Sequence, residues 1–387
     1  MQRLVIIGGG FGGLWAAMSA AAERHRQDLT PGDLSIELIN EGPDLVVRPR
    51  LYEGAKPDIC VPLRPLLDVI DVDFCQARVS DINPDARTIG LAATAGDAER
   101  NYDRLILAAG SRLKKLPLSG WDDYAFSADT FADAARMDEK LAALALLPGR
   151  PTIAVVGAGF TGLELVTELR VRLGAEARLL LLDPAAAPGA RLGGELAPVL
   201  AEAFAAGEIE LHAGAVVTAL DGGGLTLATG QRLDADMAVF ATGLEASPLT
   251  TFIGGPRDKA GRLHADAYLR APDQPDVLLA GDTGRAMTDD IHPTYMCCQH
   301  AIQLGRFAGA NAVRDMRGQP LQEYRQERYV TCVDLGPAGA VLTTGWDRRV
   351  EKTGTAAKTV KQQIMMERIY PPDPAVGRAE IFKATGL

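Results

Sequence analysis

Short apolar runs rich in β-branched residues alternate along this chain with longer stretches rich in alanine and leucine, a pattern that predicts strands followed by helices. Two such units stand out. At the N-terminus Leu4-Val5-Ile6-Ile7 predicts a strand and Leu14 to Ala22 a helix; at mid-chain the run PTIAVV from Pro151 predicts a strand, and the residues up to Leu169 predict a helix. Glycines separate strand from helix in both, at Gly8, Gly10 and Gly13 and again at Gly157, Gly159 and Gly162. The first unit has no charged residue from Leu4 to Ala22, and with Arg3 in front it also fits a secretory signal or a short spanning helix. Its glycines oppose both readings, and a signal peptide has no reason to recur at mid-chain.

The likeness extends beyond the glycines. After the first unit come a second strand (Leu34 to Ile39), short strands around the turn NPDAR, and YDRLILAAGS; after the second come RLLLLD, strands around the turn DGGG, and ADMAVFATGLEASP. Each copy closes with an apolar strand running into a small residue and a glycine, at Ala109-Gly110 and at Thr242-Gly243. This is an internal duplication of one nucleotide-binding unit. It predicts an α/β fold with two Rossmann-like dinucleotide-binding domains. In such a unit the first glycine makes a tight turn, the second lets backbone approach a pyrophosphate, and the third lets helix and strand pack closely. The pyrophosphate then rests on the N–H groups at the positive end of the helix.

Composition narrows the class. The 387 residues are 47% hydrophobic and 23% charged, as in a large globular protein with two or three cores. A net charge of -10 argues against nucleic acid and against attraction to an anionic bilayer. Five cysteines without paired spacing indicate a reducing compartment, and the expected location is the cytoplasm. No metal ligands are assigned.

A chain with two such sites usually holds a flavin in the first and a nicotinamide cofactor in the second. The fingerprint for FAD is PDVLLAGDTG, an apolar strand ending at Gly281 and Asp282, where the aspartate would accept a hydrogen bond from the ribityl chain. In the second unit Asp183 ends the second strand and is placed to accept from a ribose hydroxyl, which favours NADH; Arg191 nearby leaves NADPH open. In the first unit either Asn40 or Glu41 would take the ribose, with Glu41 preferred. The expected domains are residues 1–120 with 247–318 for FAD, 121–246 for NAD(P)H, and a small β-rich C-terminal domain over 319–387.

With these motifs in order, the sequence resembles the two-dinucleotide-binding-domain flavoproteins and, within them, the type II NADH:quinone oxidoreductases. The resemblance rests on GAGFTGLELVTEL, on the ATG at Ala241 to Gly243, and on CCQHAIQLG at Cys297 to Gly305, and it spans roughly residues 1 to 318. It implies hydride transfer from NADH to FAD and onward transfer to a quinone or similar acceptor. Glu164 would lie near the stacked nicotinamide and flavin rings. Gln299 and Gln303, four apart and so on one helix face, would hydrogen-bond a quinone carbonyl. Pro293-Thr294 reads as the start of that helix, aiming its dipole at the flavin.

Thiol-dependent relatives of the same fold need cysteine spacings that do not occur here, and Cys297-Cys298 is read as a packing pair before a redox pair. Cys60, Cys75 and Cys332 read as buried thiols. Towards the C-terminus, YVTCVDLGPAGAVLTTGW predicts a hairpin around Gly336-Pro337, and Lys358 to Ile369 a short helix with an exposed Met365-Met366 face. That tail is shorter than the amphipathic anchor usual in the type II family. Peripheral contact at the inner face of the plasma membrane, or a homodimer, stays open on that face. Two other readings keep the cofactor sites: a soluble reductase or oxidase of a specialised pathway, and a redox-switched binding protein resembling apoptosis-inducing factor.

Overall fold

The computed structural model describes residues 1–92, 98–187, 189 and 192–386. Strand Gln2–Ile7 forms the centre of a six-stranded sheet because its β-branched side chains are buried on both faces, as a parallel sheet covered on both sides requires. Leu34–Asn40 and then Asp73–Gln76 lie on one side of it in parallel, with Arg104–Leu107 and then Gln274–Leu279 on the other. A short antiparallel pair with Arg270–Ala271 closes that edge. Residues far downstream thus complete the N-terminal sheet. Helices Phe11–Arg26 and Cys298–Met316 cover one face, and the antiparallel strands Arg78–Asn83, Thr88–Ala92 and Ala98–Asn101 contribute to the core on the other.

The second unit repeats the plan. Ala125–Phe126, Met237–Phe240, Thr152–Val156, Arg178–Asp183 and Ile209–Ala213 form a five-stranded parallel sheet in that spatial order. Val217–Asp221, Gly224–Leu227 and Arg232–Asp234 make its antiparallel cover. The ends of the two copies pair with each other, Ser111–Leu113 running antiparallel to Leu244–Ala246.

In the C-terminal part, Val330–Asp334, Ala340–Thr344 and Arg349–Thr353 form an antiparallel sheet, with its first turn at Gly336–Ala338, followed by helix Gly354–Gln363. That helix runs into a wider turn over Ile364–Arg368, in which Met365 is buried and only Met366 of the pair is exposed. The exposed Met365-Met366 face expected from the sequence is therefore corrected: Met365 joins the main core. No helix among the described residues is long and apolar enough to cross a membrane.

Candidate active site

The two glycine loops have one geometry. Gly8 has φ 104° and Gly157 φ 110°, and a β-carbon on either would fall on a carbonyl oxygen, that of Ala108 or of Ala241. Gly13 and Gly162 pack so closely that a β-carbon there would meet the carbonyl of Gly8 or Gly157. Gly10 and Gly159 cap their helices in extended conformation, and the space into which a side chain would project from either is clear to 4 Å. The chain therefore leaves a cradle at each helix N-terminus with its N–H groups directed outward, which fits a pyrophosphate.

Next to each loop stands the last residue of the second strand. Asp183 accepts hydrogen bonds from the N–H of Ala158 at 2.7 Å and of Ala185 at 2.8 Å. Asn40 occupies the same place in the first copy: its Oδ1 accepts from the N–H of Gly9 at 2.7 Å, while its Nδ2 donates to the Gly42 carbonyl at 2.9 Å. Glu41, the preferred ribose acceptor, is exposed one residue beyond the strand, and it is Asn40 that faces the glycine loop. The difference is one of alternation: in a strand, adjacent side chains point opposite ways, and only one of the two can face the loop. Arg191 lies outside the described residues.

Gly110 and Gly243, with φ 67° and 92°, turn the chain at the two strand ends. Beside them Ala109 is half-buried, and the Thr242 hydroxyl donates to the Lys114 carbonyl at 3.0 Å. Gly281 lies against Gly12 of the first helix, and Asp282 follows it. Ser111 Oγ donates to Asp282 Oδ2 at 2.6 Å, and Arg48 reaches the same oxygen at 4.0 Å while pairing with Asp129. Burial pushes the Asp282 carboxyl above the usual range, against the pull of Ser111 and Arg48.

Glu164, in the first turns of helix Phe160–Leu173, is buried and pairs with Lys361 at 2.7 Å; its Oε1 also accepts from the N–H of Asp334 at 3.1 Å. Asp334 in turn holds Lys358 at 2.6 Å through both oxygens. Burial raises the Glu164 carboxyl, with Lys361 opposing; for Lys361 burial works downward, and Glu164 together with Cys332 and Asp334 turns the shift upward. Sequence reasoning missed Lys361 and Ser111. Both partners lie far from Glu164 and Asp282 along the chain, and no local pattern joins them.

The helix carrying Gln299 and Gln303 begins at Cys298, with Cys297 as an extended cap. This corrects the expected start at Pro293-Thr294. Pro293 is bridged to Met287, and Thr294 donates its N–H to the Ala286 carbonyl at 2.9 Å, so both are extended. Gln299 and Gln303 are partly buried, and Gln299 touches the C-terminal sheet, its Oε1 accepting from the N–H of Val330 at 3.4 Å. Cys297 and Cys298 are free, partly buried thiols; burial raises both, Cys298 to about 11, which leaves them as poor nucleophiles. Cys60, Cys75 and Cys332 are partly rather than fully buried. Between the second glycine loop and Cys297 opens a cavity of about 350 Å³, lined by Phe160, Leu244, Arg262, Tyr295, Cys297, Tyr329 and Arg348 among others.

The chain is 39% identical over 383 residues to an NADH dehydrogenase-like protein of Mycobacterium tuberculosis, covering 96% of this chain and 95% of that one. It is 27% identical to the demethylphylloquinone reductase of Synechocystis, over 95% of this chain and 92% of that one. The fold matches the structure of NDH2 from Plasmodium falciparum in complex with NADH, with a TM-score of 0.80 at 14% identity over 100% of this chain and 98% of that one. Residues 2–305 match the model of one family, and the chain is a member of it: the pyridine nucleotide-disulphide oxidoreductases.

Proposed function

We propose that this chain takes hydride from NADH onto FAD and passes the electrons to a quinone. The observation that carries the reading is the pair of equivalent cradles at Gly8 to Gly13 and Gly157 to Gly162, the first closed over by Gly281-Asp282 and the second opening on a cavity. The relatives' names, NADH dehydrogenase-like protein and demethylphylloquinone reductase, support the donor and the acceptor class.

FAD, when bound, supplies the ring that accepts hydride and later releases electrons. The first cradle, with Asn40, Ala109, Gly110, Gly281 and Asp282, would hold it. Gly157, Gly159, Gly162, Asp183, Thr242 and Gly243 would hold NADH, and Glu164, fixed by Lys361, would position the nicotinamide end. Asp183 already offers carboxylate oxygens at the ribose position, which favours NADH over NADPH. Gln299 and Gln303 would direct amide donors at the acceptor carbonyls. Raised thiols at Cys297 and Cys298 favour a quinone over a disulfide as acceptor. Any contact with a membrane or a second copy would use Met366, 52% exposed, rather than Met365. The domain limits that go with this reading are 1–120 with 247–318, 121–246, and 319–387.

Double-mixing stopped flow tests it. The purified flavoprotein should be reduced by NADH and rapidly reoxidised by menadione, and only slowly by a disulfide or oxygen. Replacing both Gln299 and Gln303 by Leu should spare reduction and slow reoxidation by menadione roughly ten- to hundredfold, the equivalent of ~1.5 to 3 kcal/mol for a lost charge-assisted hydrogen bond. Reoxidation that is fast only with a disulfide would sink the quinone reading, and a long-lived reduced protein would favour the redox switch.

A further inference from the structure

The cavity beside the second glycine loop has a wall that neither dinucleotide unit supplies. One side is Phe160, the first residue of the helix that begins at the cradle, with Leu244 and Cys297. The other side brings Tyr329 and Arg348 from the C-terminal part, with Tyr295 between. Arg348 sits in the turn before strand Arg349–Thr353 in the left-handed region, φ 51°, and lines the cavity.

That turn is docked on the NADH-binding unit. The N–H of Val350 donates to Glu195 Oε2 at 2.8 Å, and a β-carbon on Gly193 would meet that of Arg348 at 3.4 Å. From there the guanidinium carbon lies 5.4 Å from the ring centres of both Phe160 and Tyr295, and 5.8 Å from that of Tyr329. Trp346 stacks behind Tyr329 with centroids 4.6 Å apart. Three aromatic faces thus orient a planar cation beside the helix N-terminus where a pyrophosphate would rest.

In this kind of loop the acidic residue ending the second strand takes the adenosine ribose, so Asp183 would mark that end, and the cavity, lined by Phe160 and not by Asp183, would take the other. We infer that Arg348 is a positioning residue for NADH, contacting the nicotinamide-side phosphate and ordering the nicotinamide half in the cavity, so that the C-terminal sheet completes the donor site. The inference rests on the reading of the second glycine loop as the NADH site.

The test uses Arg348→Gln and Arg348→Lys in the full flavin-loaded protein. Calorimetric titration with ADP-ribose, which carries both phosphates, and with AMP, which lacks the nicotinamide-side one, is set beside the dependence of flavin reduction on NADH concentration. Arg348→Gln should weaken ADP-ribose and NADH about tenfold and leave AMP within about twofold; Arg348→Lys, which keeps the charge without the planar fork, should fall between. The flavin spectrum and reoxidation by menadione should match the parent. If Arg348→Gln loses its flavin, Arg348→Lys decides: a weakening of ADP-ribose with AMP unchanged supports the inference. Equal weakening of AMP and ADP-ribose, or no weakening of either, overturns it while leaving the NADH site in place. A parent protein that binds neither NADH nor ADP-ribose overturns the reading of the site and this inference with it.

Discussion

Gly13 and Gly162 press against the carbonyls of Gly8 and Gly157 in the same way, yet the helices they belong to lead into different surroundings. In the first copy every residue from Phe11 to Arg24 is buried. Gly305 and Gly309 of the Cys298–Met316 helix bring its backbone against those of Gly12 and Ala16, and Gly281 closes on Gly12 from another side. In the second copy Thr161 is exposed, and Phe160, only partly buried against the core, also lines a cavity. Phe11 packs on Trp15 with ring centres 5.9 Å apart, while the residue in the place of Trp15 is Glu164, a buried charge held by Lys361. One loop design thus serves two tasks: the sealed copy suits a group that stays, and the copy open to a cavity suits one that comes and goes.

The largest expected effect lies in that Trp15–Glu164 contrast. Glu164→Gln would leave the Lys361 ammonium buried without its counter-charge, at a cost of ~3 to 5 kcal/mol in unfolding free energy. Glu164→Leu combined with Lys361→Met should recover most of it, because an apolar pair restores the kind of contact Trp15 makes. Denaturant titration of the three proteins decides; a loss below ~1 kcal/mol for Glu164→Gln would mean that the pair carries little of the docking between second helix and C-terminal part.

Acid should loosen the wall that the two sites share. His300 is fully buried on the helix that seals the first copy and stacks on Tyr329 of the cavity wall, with ring centres 5.5 Å apart. Burial lowers its pKa from 6.5 to about 4, although Gln326 opposes the shift. The folded value is depressed, so the stability that comes from a neutral His300 is present above pH 6.5 and is lost as pH falls towards 4, when the unfolded chain binds a proton that the native one refuses. The loss approaches ~3 kcal/mol. His300→Gln should flatten unfolding free energy across that window, and a mutant with the parent's slope would place the acid sensitivity elsewhere.

The smallest effect separates the two ribose positions. Asp183→Asn keeps an acceptor for the Ala158 N–H but sets an amide against Ala185, and should raise the KM for NADH roughly fivefold, about 1 kcal/mol, with a smaller rise for NADPH and unchanged FAD content. Loss of FAD instead would show that the two cradles do not bind independently.

Much of this was readable from residue order. A β-branched strand, a glycine turn and a helix need only near neighbours in the chain, so Leu4 to Ala22 and Pro151 to Leu169 declared two nucleotide-binding units before any folding was considered. The helix start was misread because Pro293-Thr294 carries a local start signal that the bridge to Met287 overrides. Asn40 and Glu41 differ by one position at a strand end, and only the register against Gln2–Ile7 says which faces the loop. What the sequence determined by itself was therefore whatever backbone sterics impose within a few residues: the positive φ at Gly8 and Gly157, the open caps at Gly10 and Gly159, and the repetition of both. What tertiary structure decided was which distant groups meet: Glu164 with Lys361, Ser111 with Asp282, Arg348 over Phe160. Such pairs form because burial penalises a lone charge or hydroxyl until a partner arrives, and the partner is chosen by the packing of sheets rather than by any spacing along the chain.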